Sequence, residues 1–245
     1  MHLKELSKII SGKTAEDGLK ELSMLFPGQG VFTTSFGLED QVITHMIFAG
    51  NLDIEVITLD TGRLFPETYK TFNETVKKYR KQIRVFFPDN SETERMVTEK
   101  GPYSFYYSTD NRHECCRIRK VEPLNRALRE MKCWVTGIRA EQSENRHNME
   151  VIEYDENKAL FKYHPLFGWS LDEVKSFIRE NSVPYNSLHD KGFVSIGCEP
   201  CTRAVKEGEN FRAGRWWWEN GSQKECGLHM AGGTERGAQG KDAEP

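Results

Sequence analysis

The amino-acid sequence predicts an α/β protein with a doubly wound, mostly parallel sheet. Up to about residue 140, short runs rich in β-branched and aromatic residues alternate with longer segments of helical periodicity, an order typical of parallel sheets covered by helices. Polar turns that contain glycine follow three of the four runs. In sheets of this class ligands bind beyond the carboxyl ends of the strands, so these turns are the first places to look for a site.

The predicted elements follow one another in a regular order. The first 25 residues indicate one or two amphipathic helices. Strands are expected at 30–35, 54–60, 83–88 and in the apolar run KCWVTGIRA. Helices are expected at 38–50, 65–80 and 91–99, and helical character is expected at both ends of HECCRIRKVEPLNRALREM. Gly50 closes the first of these helices, and Pro66 lies in the first turn of the second.

The pattern changes after residue 150. The stretch EVIEYDENKALFKYHPL predicts a polar hairpin, and 170–183 predicts an amphipathic helix whose capping box pairs Ser170 with Glu173. We expect one domain over 1–229, with a mobile segment at about 206–229. The small and charged residues of 230–245 predict a disordered tail.

Composition excludes several classes of function. The chain has 245 residues, with 34 basic and 37 acidic side chains and a net charge of −3, which argues against binding to the bulk of DNA or RNA. No apolar run approaches the length that spans a bilayer, and the charged N-terminus does not read as a signal peptide. We therefore expect a soluble, cytoplasmic protein that binds neither nucleic acid nor membrane.

Three polar loops at the strand ends are candidates for a ligand site. SFGLED follows the first strand, and its glycine turn at a helix N-terminus can direct backbone N–H groups at a phosphate; Thr34 or Ser35 adds a hydroxyl. LDTGR follows the second strand. TGIRAEQSENR follows the fourth and carries Arg139 and Arg146, whose forked side chains suit phosphate or sulfate. Taken singly, each loop is also explained as an ordinary turn, a helix cap or a solvated loop.

Four of the six cysteines form two close pairs, Cys115 with Cys116 and Cys198 with Cys201. Four thiolates suit a zinc ion or an iron–sulfur cluster. Adjacent helical residues point about 100° apart, which fits the separate iron corners of a [4Fe–4S] cluster better than one small ion. We predict these four as cluster ligands, with zinc or free thiols as the alternatives. Cys133, in an apolar strand, is expected to be an inert core thiol.

The sixth cysteine, Cys226, lies in KECGLH near the end of the chain. Lys224 and His229 flank it and would favour its thiolate. We interpret Cys226 as a nucleophile on a mobile segment, the alternative being an unused thiol on a tail.

Several basic residues could together hold a ligand with many negative charges. Lys120 follows Cys116 by four positions, and Arg212 and Arg215 lie three apart, on one face if helical. Taken singly, each is more readily a surface charge.

In this order, the motifs SFGLED, LDTGRLFPET, ECCRIRKVEPLNRAL, TGIRAEQSENR, SIGCEPCTR and ECGLH resemble those of the sulfonucleotide reductases. Within that group the chain looks like the assimilatory adenylyl-sulfate (APS) reductases that carry a [4Fe–4S] cluster. The match runs from about residue 32 to residue 229. The 3′-phospho-APS (PAPS) reductases share the fold and ECGLH but lack the two cysteine pairs, so the pairs point to APS. The resemblance implies an adenine-nucleotide α-hydrolase-like (PP-loop) fold.

The resemblance also implies roles for individual residues. The nucleotide would be lined by Thr34, Ser35, Gly37, Leu59 and Gly137. The phosphosulfate would be surrounded by Lys120, Arg139, Arg146, Arg212, Arg215 and His229. The cluster would be ligated by Cys115, Cys116, Cys198 and Cys201. Cys226 would be the nucleophile.

The implied activity is the reduction of APS to sulfite and AMP through an S-sulfocysteine on Cys226, within sulfate assimilation and cysteine biosynthesis. Thioredoxin or a similar dithiol protein would supply the electrons. Three alternatives stay open: a PAPS or dual APS/PAPS reductase, an ATP-dependent tRNA-thiolating enzyme of the same fold, and a zinc-stabilised nucleotide-binding module. The sequence leaves open whether the chain forms a homo-oligomer.

Overall fold

The structure, a computed structural model, describes residues 2–142 and 149–219, and within them six strands form one sheet. The strands are β1 (Gly30–Thr34), β2 (Glu55–Leu59), β3 (Arg84–Phe86), β4 (Cys133–Val135), β5 (Ile152–Asp155) and β6 (Leu160–Tyr163). Their order across the sheet is β3-β2-β1-β4-β6-β5. β5 pairs with β6 in antiparallel fashion, and every other neighbouring pair is parallel. The predicted doubly wound, mostly parallel sheet is confirmed.

The winding of the sheet reverses at β1. From β1 the chain moves outward through β2 to β3, and it then returns to place β4 on the other side of β1. The carboxyl ends of β1 and β4 therefore flank a topological switch point, where open α/β sheets bind their ligands.

Eight α-helices connect and cover the strands in the described ranges. They are α1 (Leu3–Ile10), α2 (Ala15–Leu25), α3 (Leu38–Ala49), α4 (Pro66–Tyr79), α5 (Asn90–Lys100), α6 (Thr109–Cys116), α7 (Glu122–Leu128) and α8 (Leu171–Glu180). Four begin at a side chain that accepts a backbone N–H, which satisfies a donor that the helix itself cannot. These caps are Thr14, Asp89, Ser108 and Ser170.

Alternate residues of the central strands supply two apolar cores, one on each face of the sheet. Phe32, Cys133 and Val135 pack in the larger core, with residues of α1, α2, α3 and α8. Val31 and Trp134 point the other way, into a smaller core closed by α7. The prediction for Cys133 is confirmed, since it is fully buried, and burial raises the pKa of its thiol to about 12.

The helical character predicted at both ends of HECCRIRKVEPLNRALREM is confirmed, and a wider turn separates the two helices. α6 ends at Cys116, one π-helical turn spans Arg117–Val121, and α7 follows. Pro123 has no N–H to donate to the carbonyl of Arg119, four residues earlier, and its ring would clash with that carbonyl in a regular helix. The wider turn lies at this point of conflict, and it carries Arg119 and Lys120.

The remaining expectations for secondary structure agree with the structure apart from shifts of a few residues at element ends. The hairpin after residue 150 is β5 and β6, and Ser170 and Glu173 form the expected capping box. Among the described helices, none has both the length and the apolar character needed to cross a bilayer.

Candidate active site

A cleft of about 240 Å³ lies at the carboxyl ends of β1, β2 and β4, at the switch point of the sheet. The predicted substrate-binding residues that line it are Thr34, Ser35, Gly37, Leu59, Lys120, Gly137, Arg212 and Arg215. They come from five separate stretches of sequence, which the fold brings to one place. What they bind stays a prediction.

The loop after β1 uses some of its own donors internally. The backbone N–H and the hydroxyl of Ser35 both donate to Oδ2 of Asp40, at 2.6 and 2.7 Å. Phe36 adopts a left-handed backbone with φ of 62°, and its ring stacks on Phe72 with centroids 4.9 Å apart. The sequence predicted a turn whose donors face an anion. The structure shows instead that Asp40, in the first turn of α3, holds the Ser35 donors.

Asp40 is buried at the wall of the cleft. Burial raises the pKa of its carboxyl to about 6, against the opposing effect of the hydrogen bonds from Ser35. The end of β4 approaches this carboxyl closely, because a Cβ on Gly137 would lie 2.2 Å from Oδ1 of Asp40. Only glycine at 137 permits this approach, so Gly137 shapes the cleft through its missing side chain.

Arg215 is held on several sides where it lines the cleft. Its Nε donates to the carbonyl of Cys201 at 3.3 Å, and its Cζ lies 4.7 Å from the ring centroid of Trp216. A Cβ on Gly197 would lie 2.5 Å from the guanidinium, which therefore packs directly on that glycine. Such a fixed, planar cation can stabilise a phosphate or sulfate without reorganising.

Arg139 is placed differently from the other predicted ligands. It is fully buried, and Nε donates to Glu39 at 2.8 Å while Nη1 donates to Glu141 at 2.8 Å and to the carbonyl of Trp169 at 3.1 Å. It does not line the cleft, whereas Glu39 does. In this structure Arg139 braces a wall residue of the cleft, so its placement gives no support to direct contact with substrate.

The four paired cysteines line one further, smaller cavity. Cys115 and Cys116 end α6, while Cys198 and Cys201 flank a short 3₁₀ turn. Cys115, Cys198 and Cys201 are buried, and Cys116 is half-buried. Lys120 lines both this cysteine cavity and the cleft, so the two cavities adjoin.

Cationic side chains surround the four thiols. Arg63, Arg112, Arg119 and Lys120 line the cysteine cavity. Within the described part of the chain, the buried Nη1 of Arg112 and Nε of Arg119 have no hydrogen-bond partner. The charges and spare donors fit a thiolate-bound group of net negative charge.

Two of the thiols resist ionisation in these surroundings. Burial raises the pKa of Cys115, and burial together with the neighbouring Cys198 raises the pKa of Cys201 to about 12. Cys198 donates to the hydroxyl of Thr61 at 3.3 Å. Thiolates would therefore require a further positive partner, such as bound iron.

Within residues 2–142 and 149–219, no group of three or more His, Cys, Asp or Glu side chains is arranged to hold a metal ion. A single zinc ion would require four sulfur atoms at about 2.3 Å from one centre, whereas a [4Fe–4S] cluster takes each thiolate on a separate iron. The four thiols share a cavity without converging on one point, and their number and their charged surroundings fit a cluster.

Three predicted residues lie outside the described residues: Arg146, Cys226 and His229. Of the segment 206–229, which we expected to be mobile, the structure describes the part up to Glu219. There Trp216 is 1% exposed and packs with Cys115, Cys198 and Cys201 in a third apolar core. Arg215 forms an isolated β-bridge with Thr202.

Sequence reasoning assigned no role to several residues at these cavities, among them Asp40, Arg63, Arg112 and Arg119. Each lies within or beside a motif that was noted, but the motif did not show which side chains face inward. The basic residues flanking the adjacent cysteines were the available signal, since buried thiolates require compensating charge.

Comparisons with known proteins agree with this arrangement. Residues 29–204 match the family model described as the phosphoadenosine phosphosulfate reductase domain. An adenosine 5′-phosphosulfate reductase of Agrobacterium fabrum is 46% identical over 208 residues, covering 85% of this chain and 80% of that protein. The corresponding protein of Neisseria meningitidis serogroup B is 49% identical, covering 81% of each.

A solved structure has a similar fold. The phosphoadenylyl-sulfate (PAPS) reductase of Candida auris, in a phosphate complex, superposes with a TM-score of 0.70 at 30% identity. The alignment covers 83% of this chain and 96% of that one.

Proposed function

This chain belongs to the phosphoadenosine phosphosulfate reductase domain family, and from that premise we propose that it reduces adenosine 5′-phosphosulfate to sulfite and AMP. The observation that carries the proposal is the junction of two cavities at Lys120. A cleft at the switch point offers Arg212 and Arg215, and it adjoins a cavity lined by four cysteines. The curated relatives at 46% and 49% identity carry the name of this activity.

In the first step, the thiolate of Cys226 attacks the sulfur atom of the phosphosulfate. A bond forms between Sγ and that sulfur, the bond between sulfur and the bridging oxygen breaks, and AMP leaves with the electron pair. Because two anions must meet, much of the barrier is electrostatic. Lys120, Arg212 and Arg215 lower it by balancing charge on the phosphosulfate and on the departing phosphate.

In the second step, a thiolate of a dithiol protein such as thioredoxin attacks Sγ of the S-sulfocysteine. Sulfite leaves with the electron pair of the S–S bond, and a mixed disulfide remains. The second thiol of the partner then displaces Cys226. The partner is oxidised to a disulfide, and its two electrons reduce the sulfur of APS to sulfite.

Four thiolates from Cys115, Cys116, Cys198 and Cys201 would hold the [4Fe–4S] cluster. When bound, it would add a compact charged body that shapes the electric field near the sulfate; the reaction requires no electron from it, because the dithiol supplies both. Lys120, which lines both cavities, would link this field to the substrate.

The test is the intact mass of anaerobically purified protein mixed with APS or with PAPS, without reductant, followed by peptide mapping. We expect a sulfonate adduct on Cys226 with APS alone. Addition of reduced thioredoxin should then remove the adduct and release sulfite.

The other outcomes separate the alternatives. Adducts with both nucleotides would keep the mechanism and remove the preference for APS. No adduct with either, from protein that contains iron and sulfide, would contradict the assignment of Cys226 and favour tRNA thiolation or a nucleotide-binding module.

A further inference from the structure

Arg112 connects the cysteine cavity to the C-terminal end of the described chain. It lies on α6, is 2% exposed and lines that cavity. Its Nε donates to Oε1 of Glu219 at 2.5 Å, and its Cζ lies 4.5 Å from the ring centroid of Trp216. A buried guanidinium that engages a carboxylate and an indole at once is held in one orientation, and so are its partners.

Trp216 is the middle member of this arrangement. Its φ of 43° is in the left-handed region, which a bulky buried residue adopts only where its surroundings impose it. Its backbone N–H donates to the carbonyl of Cys201 at 3.3 Å, and its own carbonyl accepts the N–H of Glu219 at 3.0 Å. Arg215, which lines the cleft, contacts the same indole. A shift of Trp216 would therefore also move Arg215.

Glu219 matters for a second reason. It is the last described residue, and Cys226 follows it by seven positions. Seven residues span at most about 25 Å, so the position of Glu219 limits where the nucleophile can reach. The Glu219 side chain is 14% exposed, and its carboxylate is paired with a cation that is nearly fully buried.

We propose that Arg112 is a positioning residue, which acts through Trp216 on Arg215 and through Glu219 on the start of the segment that carries Cys226. This inference rests on the proposed function. Arg112 does not line the cleft, so its effect on the reaction would be indirect. The position of residues 215–219 relative to the cysteine-bearing helix α6 would thereby be fixed.

The test uses the full-length, cluster-containing protein and two mild variants, Glu219→Gln and Arg112→Lys. Glu219→Gln keeps the shape of the side chain and removes its charge. Arg112→Lys keeps the positive charge and removes the planar guanidinium. The control is Glu209→Gln, which breaks the ion pair of Glu209 with Arg203 in the same region, away from the cleft. Three quantities are measured: iron content, backbone hydrogen exchange of 211–219, and the rate of APS-dependent sulfonation of Cys226 over a range of APS concentrations.

We expect all variants to retain iron. Glu219→Gln should speed exchange in 211–219 and lower the saturating sulfonation rate about tenfold, with the half-saturating APS concentration within twofold of wild type. Arg112→Lys should lower the saturating rate and also raise the half-saturating concentration, because Arg215 shifts as well. Glu209→Gln should behave as wild type in all three measurements.

Faster exchange with an unchanged sulfonation rate would overturn the positioning role. Loss of iron in both Glu219→Gln and Arg112→Lys would overturn it as well, because Arg112 would then be a structural residue of the cysteine site. Unchanged exchange and rate would overturn the whole inference. If the wild-type protein itself forms no adduct with APS, the proposed function fails first, a result distinct from failure of the variants alone.

Discussion

At the residue scale, Asp40 changes how the loop after β1 is understood. The sequence suggested that the Ser35 turn presents its donors to a phosphate. Asp40 instead accepts both Ser35 donors. In the proposed function, anion binding would therefore depend more on Lys120, Arg212 and Arg215, which line the cleft, than the loop alone would suggest.

The raised pKa of Asp40 makes stability depend on pH. Its ordinary pKa is 3.8 and its folded pKa is about 6, mainly because of burial. Well below pH 3.8 the carboxyl is neutral in both states, and its contribution to stability is fully present. As pH rises from about 4 to 6, the unfolded state ionises first, and the folded protein loses as much as about 3 kcal/mol.

The variant Asp40→Asn should not lose stability in this way as pH rises. Urea unfolding from pH 4.5 to 7 should show the wild-type free energy of unfolding falling relative to that of the variant as pH rises. Asp172→Asn, which changes an exposed carboxyl on α8, is the control and should run parallel to wild type. Parallel curves for Asp40→Asn would contradict the raised pKa.

The substitution Gly197→Ala tests whether the position of Arg215 matters for binding of APS. A methyl group in Gly197→Ala would meet the guanidinium at 2.5 Å, and because that group ends a flexible side chain, Arg215 should move while the backbone stays. We expect stability close to wild type and APS binding weakened tenfold to a hundredfold, the value of one charge-assisted hydrogen bond of about 1.5–3 kcal/mol.

The matched control is Gly168→Ala, where an added Cβ would have no neighbour within 4 Å. Calorimetric titration with APS or AMP measures the binding. Equal affinities for Gly197→Ala and Gly168→Ala would show that Arg215 does not contact the ligand.

At the element scale, the π-helical turn Arg117–Val121 decides which side chains reach the cavities. A regular helix through Cys116 and Pro123 would distribute the basic residues of RIRK around its axis. In the structure, Arg119 donates to the carbonyl of Thr61 at 2.7 Å, and Lys120 lines both cavities. The motif was visible in the sequence, but the register of the turn was not.

Lys120→Ala tests the contribution of this turn to the reaction. We expect the rate of S-sulfocysteine formation in a single turnover to fall about a hundredfold, the usual cost of one well-placed donor, while iron content is unchanged. Lys70→Ala, at an exposed position of α4, is the control. A wild-type rate in Lys120→Ala would exclude Lys120 from the first step.

At the scale of the whole molecule, the cysteine cavity joins two distant parts of the chain. Cys115 and Cys116 precede β4, while Cys198 and Cys201 follow α8. Bound iron would therefore cross-link the sheet region to the C-terminal region. Its loss should affect the positions of Arg212 and Arg215, which follow Cys201 closely in sequence.

Cys201→Ala should therefore remove most of the iron and acid-labile sulfide and weaken AMP binding. Cys133→Ala is the matched control, since Cys133 is a buried thiol in the main core and should leave iron content unchanged. Iron and sulfide assays, visible absorption and AMP titration measure these effects. Full iron content in Cys201→Ala would contradict the assignment of that ligand.

The sequence by itself determined the order of strands and helices, the turn-rich ends of the strands and the set of cysteines, because hydrophobic periodicity and residue chemistry are local properties. Only the tertiary structure decided that Asp40 holds Ser35, that Arg139 braces Glu39, and that Arg112 joins Glu219 and Trp216. These contacts depend on which side chains meet across the fold. Burial and charge pairing distinguish the arginines that form structural ion pairs from those that face the cleft. The sequence does not show this difference, because the partners of each arginine come from distant parts of the chain.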